Sequence, residues 1–234
     1  MSAVVFDIET AAFDFDDFDE AQKEYLMKSA EKEENEELRQ KAREEILKQL
    51  SLWPLTARVV AIALLNVESG NGITLFYSDE EMKFDKNESD HSYTFIGTNE
   101  PNMLTKFWEL VSKFDAFITF NGRSFDCPFL MLRSGILGIR PSINLMAGSR
   151  YSMQNHIDLL EELTFHGVTR KFNLDFYCKA FGIQSPKSHG ITGYDINDYF
   201  KARRYKEIAQ YCMGDVLATA QLYAKWRYLY EGLK

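Results

Sequence analysis

Five residues stand where their chemistry invites use: Asp7, Glu9, Asp126, Tyr211 and Asp215. Asp7 and Glu9 are two apart in a run, Ala-Val-Val-Phe-Asp-Ile, that otherwise reads as a buried strand over 2–8, so both carboxylates project from one face. Burying two like charges side by side is costly unless a cation neutralises them, and hard oxygen ligands suit Mg²⁺ or Mn²⁺. The plainer alternative is a solvated strand end followed by a helix cap. Tyr211 and Asp215 are four apart in a helical pattern, which places them on one face a turn apart. A phenol there can hold a water bound by a neighbouring carboxylate site, although such a pair also occurs on ordinary amphipathic helices. Taken singly, Asp126 reads as a helix N-cap and Asn121 as a turn former.

The elements that must position these residues follow from pattern. Residues 14–50 hold neither Gly nor Pro, are rich in Glu, Lys, Gln and Ala, and predict a long exposed helix or helical pair inserted after the first strand. Pro54 ends it, and 57–67 resumes a strand dense in Val, Ile and Leu. Asn71-Gly72 signals a hairpin, with 73–77 as the returning strand. Asn99 and Pro101 open a helix whose apolar residues Met103, Leu104, Phe107, Trp108, Val111 and Phe114 recur at spacings of three and four. A short buried strand at 116–120 runs into the turn Asn121-Gly122-Arg123-Ser124 and a helix that Gly138 closes. Asn173 caps a helix stopped by Gly182, the polar stretch 183–193 (with His189 read as a solvated loop residue) is a loop, and one long helix is expected from Lys201 onward. Strands alternating with helices predict an α/β fold with a mixed sheet.

In order, Asp7-Ile8-Glu9, Asn121-Gly122-Arg123-Ser124-Phe125-Asp126 and Tyr211-Cys212-Met213-Gly214-Asp215 resemble the three motifs Asp-x-Glu, Asn-x-x-x-Phe-Asp and Tyr-x-x-x-Asp. These mark the tyrosine-containing branch of the ribonuclease H-like 3′–5′ exonucleases, with the proofreading domain of family B DNA polymerases as the most similar group. Residues 156–158 and 174–182 are similar to elements between its second and third motifs. The resemblance implies a ribonuclease H-like mixed sheet flanked by helices, forming one domain over 1–234 with a charged helical insertion at 13–52. It implies a phosphodiesterase with two Mg²⁺ or Mn²⁺ ions: Asp7, Glu9 and Asp215 on one, Asp7 bridging to a second, and Asp126 helping to hold that second ion. Tyr211 would orient the nucleophilic water, while Thr10, Asn121 and Phe125 would contact the terminal nucleotide. The implied substrate is the 3′ end of single-stranded or frayed nucleic acid, with DNA favoured over RNA. No polymerase module accompanies the motifs, so a stand-alone enzyme is expected. A non-catalytic module of the same fold, docking a protein partner through 13–52, is the alternative.

Composition bounds these readings. The 234 residues carry a net charge of −8, but 1–120 holds 25 acidic and 12 basic side chains whereas 121–234 holds 10 and 15. A phosphate-bearing substrate can therefore meet a locally basic face in the second half. The longest apolar run, 59–65, is far short of the roughly 20 residues that span a bilayer, so no membrane association is expected. Three cysteines without a CxxC pair argue against a disulfide framework or zinc ribbon and fit a reducing compartment, the cytoplasm.

Overall fold

A computed structural model describes residues 2–88, 91–148, 155–184 and 192–230. Seven strands form one sheet in the order β4-β5-β3-β2-β1-β6-β7. They are β1 (Ala3–Ala12), β2 (Ala57–Asn66), β3 (Gly72–Tyr77), β4 (Met82–Glu88), β5 (His91–Thr98), β6 (Ala116–Thr119) and β7 (His156–Asp158). The sheet is mixed: β1, β2 and β3 pair antiparallel, β4 is antiparallel to β5, and β3–β5, β1–β6 and β6–β7 are parallel. The helices are α1 (Glu20–Met27), α2 (Glu36–Gln49), α3 (Glu100–Val111), α4 (Asp126–Ile136), α5 (Leu159–Leu163), α6 (Leu174–Ala180), α7 (Ile196–Lys201) and α8 (Tyr205–Tyr230). Among the described residues, no helix is long and apolar enough to cross a membrane.

Alternation along β1 decides which layer each side chain joins. Val4, Phe6 and Ile8 pack with Met103, Leu104 and Phe107 of α3 and with Leu130 of α4. Ala3, Val5 and Ala11 face the other way, towards Cys212, Val216 and Leu222 of α8. Asp7 and Glu9 share the parity of this second set, so an otherwise apolar strand presents two acids to α8.

The insertion folds as a pair. Asp19 and Gln22 form a capping box on α1, and the Asn35 side chain accepts from Glu37 and Leu38 to start α2. Its base is fixed to the sheet where the Thr10 hydroxyl donates to Ser51 O at 2.7 Å. A buried ion pair, Glu100 with Arg133, ties α3 to α4, while Glu100 also accepts the Val59 amide at 2.8 Å.

Several expectations are corrected. The β2–β3 reversal is a longer loop over 67–71, in which Asn66 accepts from the Glu68 and Ser69 amides and Gly70 takes φ +70°; Gly72 already belongs to β3. The helix expected from Lys201 is broken: α7 ends there, Arg203 adopts φ +57°, and α8 begins at Tyr205. The basic run Lys201, Arg203, Arg204 and Lys206 thus straddles a break, and its ion pairs include Lys201–Asp14 and Arg203–Asp79. Strands β4 and β5 have no counterpart in the sequence reading; β4 is dense in the weak strand formers Lys, Asp and Asn. His189 lies outside the described residues.

Candidate metal centre

The cluster is built at the carboxyl end of β1. Parallel pairing with β6 covers only Ala3–Val5, so the edge of β1 beyond Val5 lacks a ladder partner on that side. Asp126, the first residue of α4, supplies one: its Oδ1 accepts the Ile8 amide at 3.0 Å. On the other edge the β1–β2 register shifts between Glu9 and Thr10, and Val60 and Ala61 both join the α8-side layer. This bulge increases the local twist beside Glu9, and pairing with β2 resumes to Ala12. Ligand oxygens of Asp7, Glu9 and Asp215 then lie within 4.8 Å of one another, brought together from β1 and α8.

The second motif forms the turn between β6 and α4. Asn121 adopts φ +65°, a left-handed conformation that Asn tolerates better than most residues. Asp158 fastens this turn with both oxygens, accepting Asn121 N–H at 2.8 Å and Arg123 N–H at 3.0 Å, while also capping α5 through Leu160 N–H. Gly122 is compulsory because a Cβ there would sit 2.4 Å from the Thr119 hydroxyl. The Thr119 hydroxyl in turn lies 2.9 Å from Nε2 of His156, whose burial lowers its pKa to about 4 and keeps it neutral. Neither the grip of Asp158 across 37 positions nor the packing demand at Gly122 has a signature in linear spacing.

Carboxylates raise one another's pKa at the site. Burial first, then Asp126, Asp215 and Glu9, push Asp7 well above the usual carboxylate range. Glu9 rises for the same reasons, burial before Asp215 and Asp126. Asp126 is raised to about 7, chiefly by burial, against which its backbone hydrogen bonds work. The Tyr211 phenol is raised by burial and then by Asp215, Glu9 and Asp7, and has a hydrogen-bonding interaction with Asp215. Among the described residues, the charges acting on Asp7 and Glu9 are other carboxylates. That donor set, all hard oxygens and mutually repelling, fits Mg²⁺ or Mn²⁺ and suits neither a soft metal nor an anion.

The three nucleotide-contact candidates divide. Asn121 and the Phe125 ring are partly exposed beside Asp126, with Phe125 tilted on Phe129 at 5.6 Å between ring centres. Thr10 is buried and its hydroxyl proton is taken by Ser51 O, so its evident task is to seat the insertion.

A mixed sheet with helices on both faces and carboxylates gathered at the end of its central strand is a ribonuclease H-like architecture of the polymerase exonuclease kind. Residues 52–234 match the family described as "Predicted 3'-5' exonuclease related to the exonuclease domain of PolB", and the chain belongs to that family. Asp7 and Glu9 precede the matched residues. Among curated relatives it is similar to DNA polymerase 1 of Sulfolobus acidocaldarius (22% identity over 70% of this chain and 19% of that protein). It is likewise similar to a DNA polymerase of Thermococcus litoralis (28% identity, 66% and 10%). The family B DNA polymerase of Pyrobaculum calidifontis shares the fold, with a TM-score of 0.61 at 18% identity over 96% of this chain and 24% of that one. The chain thus spans between about a tenth and a quarter of the length of these polymerases.

Proposed function

We propose that the protein is a metal-dependent 3′–5′ exonuclease that acts as a single domain over 1–234, with 13–52 as an insertion, on single-stranded or frayed nucleic acid. The carrying observation is the convergence of Asp7, Glu9 and Asp215 within 4.8 Å, beside Asp126. Asp7, Glu9 and Asp215 would hold one Mg²⁺ or Mn²⁺, and Asp7 with Asp126 a second. Such ions supply a nucleophilic water at neutral pH and neutralise charge on the attacking and leaving oxygens of an in-line displacement.

The chain's own groups do the rest. Tyr211, kept protonated by burial and by its acidic neighbours, donates a hydrogen bond and orients the attacking water instead of abstracting its proton. Asn121 offers a polar side chain and Phe125 a ring to the terminal nucleotide. Stacking of that kind tolerates any base, so little sequence preference is expected. The DNA polymerases among the relatives favour DNA as substrate. The three buried free cysteines accord with a reducing compartment, the cytoplasm.

The test is incubation of 3′-extended, 5′-labelled single-stranded DNA and RNA with Mg²⁺, Mn²⁺ or EDTA, beside Asp7→Asn. Stepwise shortening from the 3′ end is expected, lost in EDTA and reduced about 10³-fold or more by the substitution, several kcal/mol of transition-state stabilisation. Degradation that survives Asp7→Asn would refute the assignment, and faster loss of RNA would reverse the substrate preference.

A further inference from the structure

Between α5 and α6 the chain does something that neither packing nor the carboxylate cluster explains. Phe165 and His166, neither of them glycine, both take left-handed backbone conformations (φ +51° and +57°) ahead of Gly167. For a bulky side chain this is a strained arrangement that surrounding bonds must impose. They do: His166 N–H donates to Glu161 O at 2.7 Å, and Thr164 receives the Gly167 amide on its hydroxyl and the Thr169 amide on its carbonyl. The strained turn leaves Phe165 60% and Val168 82% exposed. A few residues on, Phe172 and Phe176 stack on each other with ring centres 4.9 Å apart, and are themselves 38% and 58% exposed. The Arg170 guanidinium lies 5.0 Å from the centre of the Phe172 ring.

Exposed aromatics so concentrated mark a binding surface. This one borders the site: Tyr177, next to Phe176, packs edge-on against Phe120 at 5.6 Å, and Phe120 leads directly into the Asn121 turn. Farther along α6, Cys178 feels the charge of Asp215. The surface also belongs to the half of the chain with a basic excess, 15 basic against 10 acidic side chains over 121–234.

We propose that Phe172, Phe176 and Arg170 form a stacking ledge for single-stranded nucleic acid, holding the bases that precede the terminal nucleotide as the strand enters the carboxylate site. The proposal rests on the exonuclease reading and deepens it. The stacked pair, its planes 29° apart and Phe176 the more exposed of the two, offers aromatic surface to unpaired bases, each such contact being worth about 1–3 kcal/mol without base preference. Arg170 stacks on one ring and carries the positive charge that a passing phosphate requires. A purely apolar protein partner would have no use for that arginine and an acidic one little use for the stacked rings, whereas a polyanion whose bases have flat faces uses both features.

The experiment compares wild type with Phe172→Ala/Phe176→Ala and with Arg170→Gln. Binding of a fluorescein-labelled oligothymidylate 12-mer is followed by anisotropy in EDTA, and hydrolysis of the 12-mer and of a dinucleotide is followed in Mn²⁺. A rise in Kd of about 10-fold or more is expected for the double substitution. A KM penalty larger on the 12-mer than on the dinucleotide should accompany it, and Arg170→Gln should flatten the salt dependence. Phe176→Trp, which keeps a ring, should restore affinity and covers the case of a poorly folded double variant. Unchanged 12-mer affinity in a folded double variant, or a KM penalty independent of length, would overturn the ledge and leave the exonuclease reading standing. Oligonucleotide binding that depends on both rings in a protein without hydrolytic activity would keep the ledge and remove the exonuclease. Loss of self-association in place of oligonucleotide affinity would make this face a protein interface and refute the proposal.

Discussion

Asp7 and Glu9 occupy positions that the strand's own alternation turns inward, towards α8. A valine or alanine there would fold as well, and the burial and mutual repulsion of the acids cost stability. Asp-x-Glu alone reads equally well as a solvated strand end; the expectation of chemistry comes only from its order with the other two motifs. Tyr211 illustrates the complement. Its spacing from Asp215 showed a shared face, but burial and the carboxylates decide that its phenol stays protonated. Tyr211→Phe is accordingly expected to lower kcat about 10- to 100-fold, the worth of a hydrogen bond in a charged setting, without abolishing turnover. Steady-state kinetics on single-stranded DNA would show it, and a rate that stays flat from pH 7 to 9 in wild type would confirm that the phenol does not titrate as a base.

Elements differ in how plainly they announce themselves. The α3 pattern was legible because its apolar residues recur at helical spacing, and β1 and β2 because their β-branched runs are bounded by polar residues. By contrast, β4 is the sheet's edge strand and is rich in the weak strand formers Lys83, Asp85, Lys86 and Asn87, while its neighbour β5 carries Ser92, Thr94 and Gly97. The break between α7 and α8 depends on the left-handed Arg203, which no residue type foretells. The turn from β6 to α4 was recognisable as a motif, yet its rigidity comes from Asp158 and from the absence of a side chain at 122. Gly122→Ala forces a Cβ against Thr119 and should cost about 1–3 kcal/mol. For a chain of this size that lowers Tm by about 2–4 °C per kcal/mol. Because Asp126 and Phe125 hang on this turn, exonuclease activity should fall further than Tm alone explains, as thermal melts paired with kinetics would reveal.

The whole molecule stores the cluster's repulsion as a pH-dependent stability. Asp7, Glu9 and Asp126 titrate above their unfolded values, Asp126 at about 7 against 3.8. Between those values the native state keeps protons that the unfolded chain has released, so in EDTA stability falls as pH rises through that window. Tm should be higher near about pH 5 than near about pH 8. Mn²⁺ should raise it most at the alkaline end, where the carboxylates are ionised and bind the ion. Scanning calorimetry across pH, with and without Mn²⁺, measures both, and a Tm that climbs from pH 5 to 8 in EDTA would contradict it. The cluster also spans the chain: the Cys212 thiol, beside Asp215 on α8, lies against the Asp7 carbonyl across 205 positions. Its acids converge only after α8 has been synthesised and has docked on a strand made long before. A nascent chain therefore carries the first two carboxylates as an open, unassembled pair until α8 has emerged and docked.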